Sequence, residues 1–258
     1  IDLSKHLGLD QKTKELLVAP ADNVTNFEGI QFLVENPYWE GAKISLYSAG
    51  EESIASMPNI KVGKFITQVI LQNIEVEDID LSNATDLRSA WVQNNPALQK
   101  LDLSYSTIWG QGDKETEGNG TYGSSLMVLG CPILKEIKLP EKNELKAYRI
   151  DIECLDALET FDMSNVKMVA ELSIGDLNKD FNLVYPELTI FYSEDGYAGT
   201  YFACSENTFY RESTQAFLKA NYTDIDPDDT VRRLGYTSSL SYDKNKGCRW
   251  RTLLNKQK

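Results

Sequence analysis

Three short segments carry the side chains best spaced to do chemistry together. Asp80-Leu81-Ser82, Asp102-Leu103-Ser104 and Asp162-Met163-Ser164 each set a carboxylate beside an apolar residue and then a hydroxyl. If these aspartates share a face, with Lys138 in the same register, they form a row that can hold a cation or a basic partner. The plainer alternative is a solvated polar surface. Tyr105, Trp109 and Tyr122 lie in or beside a glycine-rich stretch. Exposed aromatics at such places stack on sugars or anchor protein interfaces; the competing expectation folds Trp109 back onto the core. Asp224, Asp226 and Asp228 invite a calcium reading, but Asp229 stands where the calcium loop needs Gly and Gly235 where it needs a bidentate Glu. A solvated turn is expected there. His6 is the sole histidine, so a Ser-His-Asp or Cys-His device has one place to be built. No G-x-S-x-G, H-E-x-x-H or P-loop sequence is present. Paired carboxylates for glycoside hydrolysis need only spatial closeness, and with 39 Asp and Glu in the chain that criterion selects nothing.

The elements that position these residues repeat. Val76–Leu81, Leu98–Leu103, Leu134–Leu139 and Leu158–Met163 share the form L-x-x-L-x-L, at spacings of 22, 36 and 24 residues. Recurrence at ~20–29 residues is the signature of a leucine-rich repeat, in which each repeat gives one short strand to a curved parallel sheet. The leucines then face the core, the intervening residues Asp80, Asp102, Lys138 and Asp162 face outward, and function is expected on the concave face. Residues 105–125, with five glycines, account for the stretched spacing and read as an insertion loop able to carry a ligand contact. Leu145–Ile150 and Val169–Ile174 are 24 residues apart and are expected on the convex side, as short strands or irregular turns. Pro186–Ile190 is expected as the last sheet strand.

Flanking segments read as closures for the two ends of this core. A helix is expected over 10–17, ending before Pro20. Val24, Phe27, Ile30 and Leu33 recur every third residue, and strands are expected at Lys43–Tyr47 and in part of 65–74. The remainder of 36–75 is irregular. Residues 206–221 suggest one helix, and the C-terminal part is expected to cover an exposed sheet edge. The domain expectation is an N-terminal cap with degenerate repeats over 1–73, leucine-rich repeats over 74–199 and a C-terminal cap over 200–258.

The net charge of −13 makes nucleic acid and anionic membrane surfaces poor partners, because neutralising phosphates requires Lys and Arg. No apolar run approaches the ~18 residues of a membrane span. A chain that starts at Ile1 without a signal peptide is expected as the mature or trimmed form of a secreted protein. Cys131, Cys154, Cys204 and Cys248 form no C-x-x-C pair, which argues against zinc. Cys131 and Cys154 sit just before successive repeats and are expected as small buried residues. Cys204 and Cys248 are the pair considered for a disulfide. The N-x-S/T sequons at Asn23, Asn83, Asn119 and Asn221 matter only in a eukaryotic secretory pathway.

The run Gly130-Cys131-Pro132-Ile133-Leu134-Lys135-Glu136-Ile137-Lys138-Leu139-Pro140 resembles the BspA-like leucine-rich-repeat family. That family repeats a small residue and Cys, then Leu-x-x-Ile-x-Leu-Pro, at about this period. Cys154–Met163 repeats the Cys and the Leu pattern without the Pro, and Val24–Leu33 is similar to the lead-in of internalin-type repeats. The match covers roughly 74–192 and departs from the family in repeat length and in the 105–125 loop. The resemblance implies a secreted or surface-anchored bacterial protein, lipid-anchored if a further segment carries the anchor, that binds host or bacterial partners. The expected fold is therefore α/β, a right-handed leucine-rich-repeat solenoid with caps. The expected function is non-enzymatic binding or adhesion to protein or glycan, without cofactor or metal, through Asp80, Asp102, Asp162, Tyr105, Trp109 and Tyr122. The alternatives are a carbohydrate-active enzyme on a repeat scaffold and a structural spacer in a surface assembly.

Overall fold

The computed structural model describes residues 8–10, 15–35, 41–48, 53–111, 123–175, 177–178, 180–189, 193–194, 197–198, 200–221, 241–243 and 247–249. The segment β1 (Gly8–Asp10) pairs antiparallel with β2 (Glu15–Val18). After them come β3 (Lys43–Tyr47), the short strands β4 (Ala55–Ser56) and β5 (Ile60–Lys61), and β6 (Gln68–Gln72). The short β7 (Ile74–Glu75) and β8 (Ile79–Asp80) lead to β9 (Ser89–Gln93). The alternation continues through β10 (Lys100–Asp102), β11 (Ser125–Leu129), β12 (Glu136–Lys138), β13 (Leu145–Glu153), β14 (Thr160–Asp162), β15 (Val166–Gly175) and β16 (Asn182–Val184). A small hairpin, β17 (Ser193–Glu194) and β18 (Tyr197–Ala198), precedes β19 (Tyr201–Cys204).

Eight strands, β2, β3, β6, β9, β11, β13, β15 and β19, form one parallel sheet in chain order, with β1 added at its edge. The short strands pair parallel among themselves, β4 with β7, β5 with β8, β10 with β12 and β14 with β16. The chain is thus α/β with a large parallel sheet and few helices, an arrangement compatible with a solenoid-like fold.

Register explains the sequence pattern. Leu16, Ile44, Val69, Ala90, Leu126, Ile150, Leu172 and Phe202 stand in one column across the sheet. Two residues on, Val18, Leu46, Leu71, Val92, Val128, Ile152, Ile174 and Cys204 form a second column, and both are buried. Alternation along a strand sends these to one face and their neighbours to the other. The L-x-x-L-x-L residues close the core from the opposite side: Val76, Ile79 and Leu81, then Leu98, Leu101 and Leu103, are buried in the same cluster. Met57, Ile60 and Val62 join them, so Met57-Pro58-Asn59-Ile60-Lys61-Val62 is a further copy of the motif inside the stretch that reads as irregular.

Corners repeat as well. The residue after each of β6, β9, β11 and β13 has positive φ: Asn73 (56°), Asn94 (54°), Gly130 (64°) and Cys154 (53°). Asn and Gly are the residues that enter this region most readily. The Asn94 side-chain amide donates to the Asn73 side-chain oxygen at 2.7 Å. The Asn94 oxygen finds no donor, because the next corner, Gly130, has no side chain to continue the row.

Several expectations are corrected. Residues 15–18 are strand, not helix, because Leu16 and Val18 alternate into the core with period two. Leu145–Ile150 and Val169–Ile174 lie in the principal sheet, in β13 and β15, whereas the L-x-x-L-x-L segments form the short ladder. The longer strands win the main sheet because their alternation buries two full columns. Pro186–Thr189 forms no strand, as expected of a segment opening on a residue without an amide hydrogen, and β19 ends the sheet. Residues 206–221 form two helices, Glu206–Phe209 and Glu212–Asn221, separated at Arg211. The Arg211 guanidinium donates instead to the backbone oxygens of Asn178 (2.5 Å) and Phe181 (3.0 Å). Phe217 of the second helix stacks on Tyr185 at 4.5 Å and packs on Phe202 of β19, so this helix covers the core beyond the last strand. Cys204 is a free buried thiol, which removes the Cys204–Cys248 pairing, while Cys154, though buried, is disulfide-bonded to a partner outside the described side chains. Burial pushes the Cys131 and Cys204 thiols up to about 12, so both stay protonated and unreactive at neutral pH.

Candidate functional site

The aspartates of the repeated motif are placed first by their own turns. The Ser82 amide donates to Asp80 Oδ1 (2.8 Å), the Ser104 amide and hydroxyl to Asp102 Oδ1 (3.0 and 2.5 Å), and the Ser164 amide to Asp162 Oδ1 (2.8 Å). Each is an Asx turn that reverses the chain after a short strand. Lysines then meet two of them: Lys61 Nζ lies 3.0 Å from Asp80 and Lys100 Nζ 3.1 Å from Asp102. Lys100 and Lys138 also hold Glu136, at 3.3 and 3.2 Å. Cross-strand pairing sets Lys61 beside Asp80 and Asp102 beside Lys138, so opposite charges are interleaved along the ladder.

Hydrogen bonding from Ser82 holds the Asp80 carboxyl below its ordinary range. Burial pushes Asp102 up, but Ser104 and Lys100 outweigh it and its carboxyl also titrates low. A carboxyl depressed in the folded state stabilises above the unfolded value near 4, and that contribution is lost as pH falls. Asp102→Ala is therefore expected to cost about 1–2 kcal/mol at pH 7 and less at pH 3, measured by urea unfolding. An equal cost at both pH values would show that the charge plays no part.

The aromatics divide. Trp109 is 0% exposed and Tyr105 50%; Tyr122 lies outside the described residues, as do His6, Asp224, Asp226 and Asp228. The first part of the insertion is built into the core. The Trp109 amide donates to Ser106 Oγ (2.9 Å), the Gly110 amide to Ser124 Oγ (2.7 Å), and Lys142 Nζ to the Thr107 and Trp109 oxygens. Gln111 bridges to Lys146 of β13.

The side of the large sheet turned away from the core was missed by the motif reading. On β6 it presents Gln68, Ile70 and Gln72, on β9 Ser89, Trp91 and Gln93, and on β11 Ser125, Met127 and Leu129, each trio in register with the next. Ile70, Met127 and Leu129 are buried but stand apart from the main core cluster, as their outward register requires. Trp91 is half-buried, with its indole Nε1 buried and without an acceptor. The signal was present in the period-two patterns Gln68-Val69-Ile70-Leu71-Gln72 and Ser89-Ala90-Trp91-Val92-Gln93.

Charge returns at the flanks of this side. Toward the N-terminus, Ser45 Oγ donates to Glu15 Oε1 (2.7 Å). Toward the C-terminus, Arg149 Nη2 donates to Asp151 Oδ2 (2.9 Å), Tyr148 to Glu171 (3.2 Å) and Ser173 to Glu153 Oε1 (2.8 Å). Gly175 makes room for Glu153: a Cβ there would lie 3.1 Å from its Cγ and Cδ. Asp151 is 0% exposed and its Oδ1 has no donor. Burial raises its carboxyl above the ordinary range despite Arg149.

The sign for Asp151 is opposite to that of Asp102. A raised carboxyl holds its proton in the folded state where the unfolded chain has lost it, so stability falls as pH rises above about 4 and the full cost stands above the folded value. Asp151→Asn is expected to raise the melting temperature at pH 7.5 and to leave it nearly unchanged at pH 4. A lower melting temperature at pH 7.5 would mean that the Arg149 pairing outweighs burial.

A separate cavity of about 410 Å³ lies beside the helix Ile30–Val34, lined in part by Glu35, Lys64, Phe65 and Ser82. Among the described residues its one lining carboxylate, Glu35, accepts from the Lys61 amide at 3.1 Å, and none of them places a second carboxylate across the cavity, as glycoside hydrolysis would require. No family model, curated protein or solved structure matches this chain.

Proposed function

We propose that the chain is a non-enzymatic binding module of leucine-rich-repeat type, secreted or held at a bacterial surface, that engages a protein or glycan over the outward side of its large sheet. The observation that carries this reading is the Trp91 neighbourhood: a half-buried indole set among amides, hydroxyls and apolar side chains in register on three adjacent strands. Such a surface, held rigid by a parallel sheet, is preorganised for contact. The interleaved ladder opposite offers each basic partner its own lysines as competitors, and so supports binding less.

The test is a screen of the purified chain on glycan and extracellular-matrix arrays. Two variants run beside it, Ile70→Arg on the sheet and the pair Asp80→Lys with Asp102→Lys on the ladder. The expected result is a hit lost with Ile70→Arg and kept by the ladder pair. The reverse pattern would move the site to the ladder.

A second reading, a carbohydrate-active enzyme, draws on one observation. Asp151 and Glu153 lie on the same side of β13, and Asp151 is shifted in the direction a general acid needs. Its complete burial weighs against contact with a substrate.

A further inference from the structure

The geometry points to an uncharged oligosaccharide as the ligand of this surface, laid across β6, β9 and β11 with one sugar ring stacked on Trp91. The inference rests on the binding reading above and narrows it to one ligand class. The outward positions of these three strands carry no ionisable group, in a chain whose net charge is −13. Charges resume only beyond them, at Glu15 and Lys43 on one flank and at Arg149, Asp151, Glu153 and Glu171 on the other.

A neutral patch on a strongly acidic chain suits a ligand that brings no charge to compensate. A basic protein would gain most over carboxylates, and an anionic glycan would need the Lys and Arg that these strands lack. Trp91 Nε1, at the centre of the patch, is a buried donor without an acceptor. Unpaired groups of this kind ask for an explanation. A sugar hydroxyl accepts as readily as it donates, so it can answer the Trp91 Nε1 donor once a small side-chain shift admits it. Gln68, Gln72 and Ser89 add half-buried amide and hydroxyl groups, and the apolar face of a pyranose matches an indole.

The experiment is calorimetric titration of the full chain with maltohexaose, cellohexaose, laminarihexaose and mannohexaose, with hyaluronan hexasaccharide as the anionic comparison. Trp91→Ala and Trp91→Phe are titrated in parallel, and Gln72→Ala stands in if Trp91→Ala fails to fold. The expected result is binding of at least one neutral hexasaccharide, weakened about 30-fold or more by Trp91→Ala and largely restored by Trp91→Phe. No binding of any neutral hexasaccharide at roughly millimolar concentration overturns the inference. If a matrix protein is then bound through Trp91, the broader binding reading still stands. Preference for hyaluronan, or unaltered binding by Trp91→Ala, also overturns it. Cleavage of a hexasaccharide, lost with Asp151→Asn, replaces both readings with the enzyme.

Discussion

Replacing Trp109 with alanine is expected to destabilise the fold by about 3–5 kcal/mol, seen as a large drop in the urea midpoint with little change in slope. The ring is the largest of the fully buried side chains among the described residues. Its Nε1 donates to the Ser125 backbone oxygen at 3.4 Å, linking the start of the insertion to β11. Removing it leaves a cavity between the ladder and the sheet and strips a partner from that oxygen. The backbone around it has no freedom to collapse: Gly110 has φ +79°, and a Cβ there would fall on Leu145. Tyr105→Ala, at a half-exposed position, is expected within about 0.5 kcal/mol of wild type. A Trp109→Ala chain of near-normal stability would contradict this packing.

Trp91→Ala is expected to do the opposite: little to stability, much to binding. The indole lies in the middle of the sheet's outward side, between Ile70 and Met127 in register, where an aromatic anchor contributes most. Truncating such an anchor costs about 2 kcal/mol or more, roughly 30-fold in affinity. The outer position spares the core columns of Ala90 and Val92, so unfolding should shift by only about 1 kcal/mol. A variant that unfolds early and binds normally would place Trp91 in the core and the ligand elsewhere.

These two tryptophans show how far the sequence is legible. The L-x-x-L-x-L motif is readable because its three apolar positions all turn inward: Leu98, Leu101 and Leu103 are buried. The motif also marks the aspartates, but not their task, because Asp102 is committed to Ser104 and Lys100 by contacts that appear only once the strands pair. Which segments build the large sheet is hidden for a related reason. Val166–Gly175 and Leu145–Glu153 alternate imperfectly, with a register shift between Leu145 and Lys146, and their period-two signal is weaker than the leucine pattern. Trp91 sits inside a five-residue strand with one aromatic, and nothing local separates it from Trp109. Only the register across β6, β9 and β11 does. The Met57–Val62 copy escapes notice because Met, Ile and Val replace the leucines and Pro58 interrupts the pattern.

Contact of ligand with the outward side of the large sheet at Trp91 is to be read from the indole Nε1–H resonances of the four tryptophans during titration with the strongest array ligand, assigned through Trp91→Phe. The Trp91 resonance is expected to move downfield as its unpaired donor gains an acceptor, while that of Trp109, already bonded to Ser125, stays in place. Saturating binding that leaves the Trp91 resonance unmoved would contradict that contact.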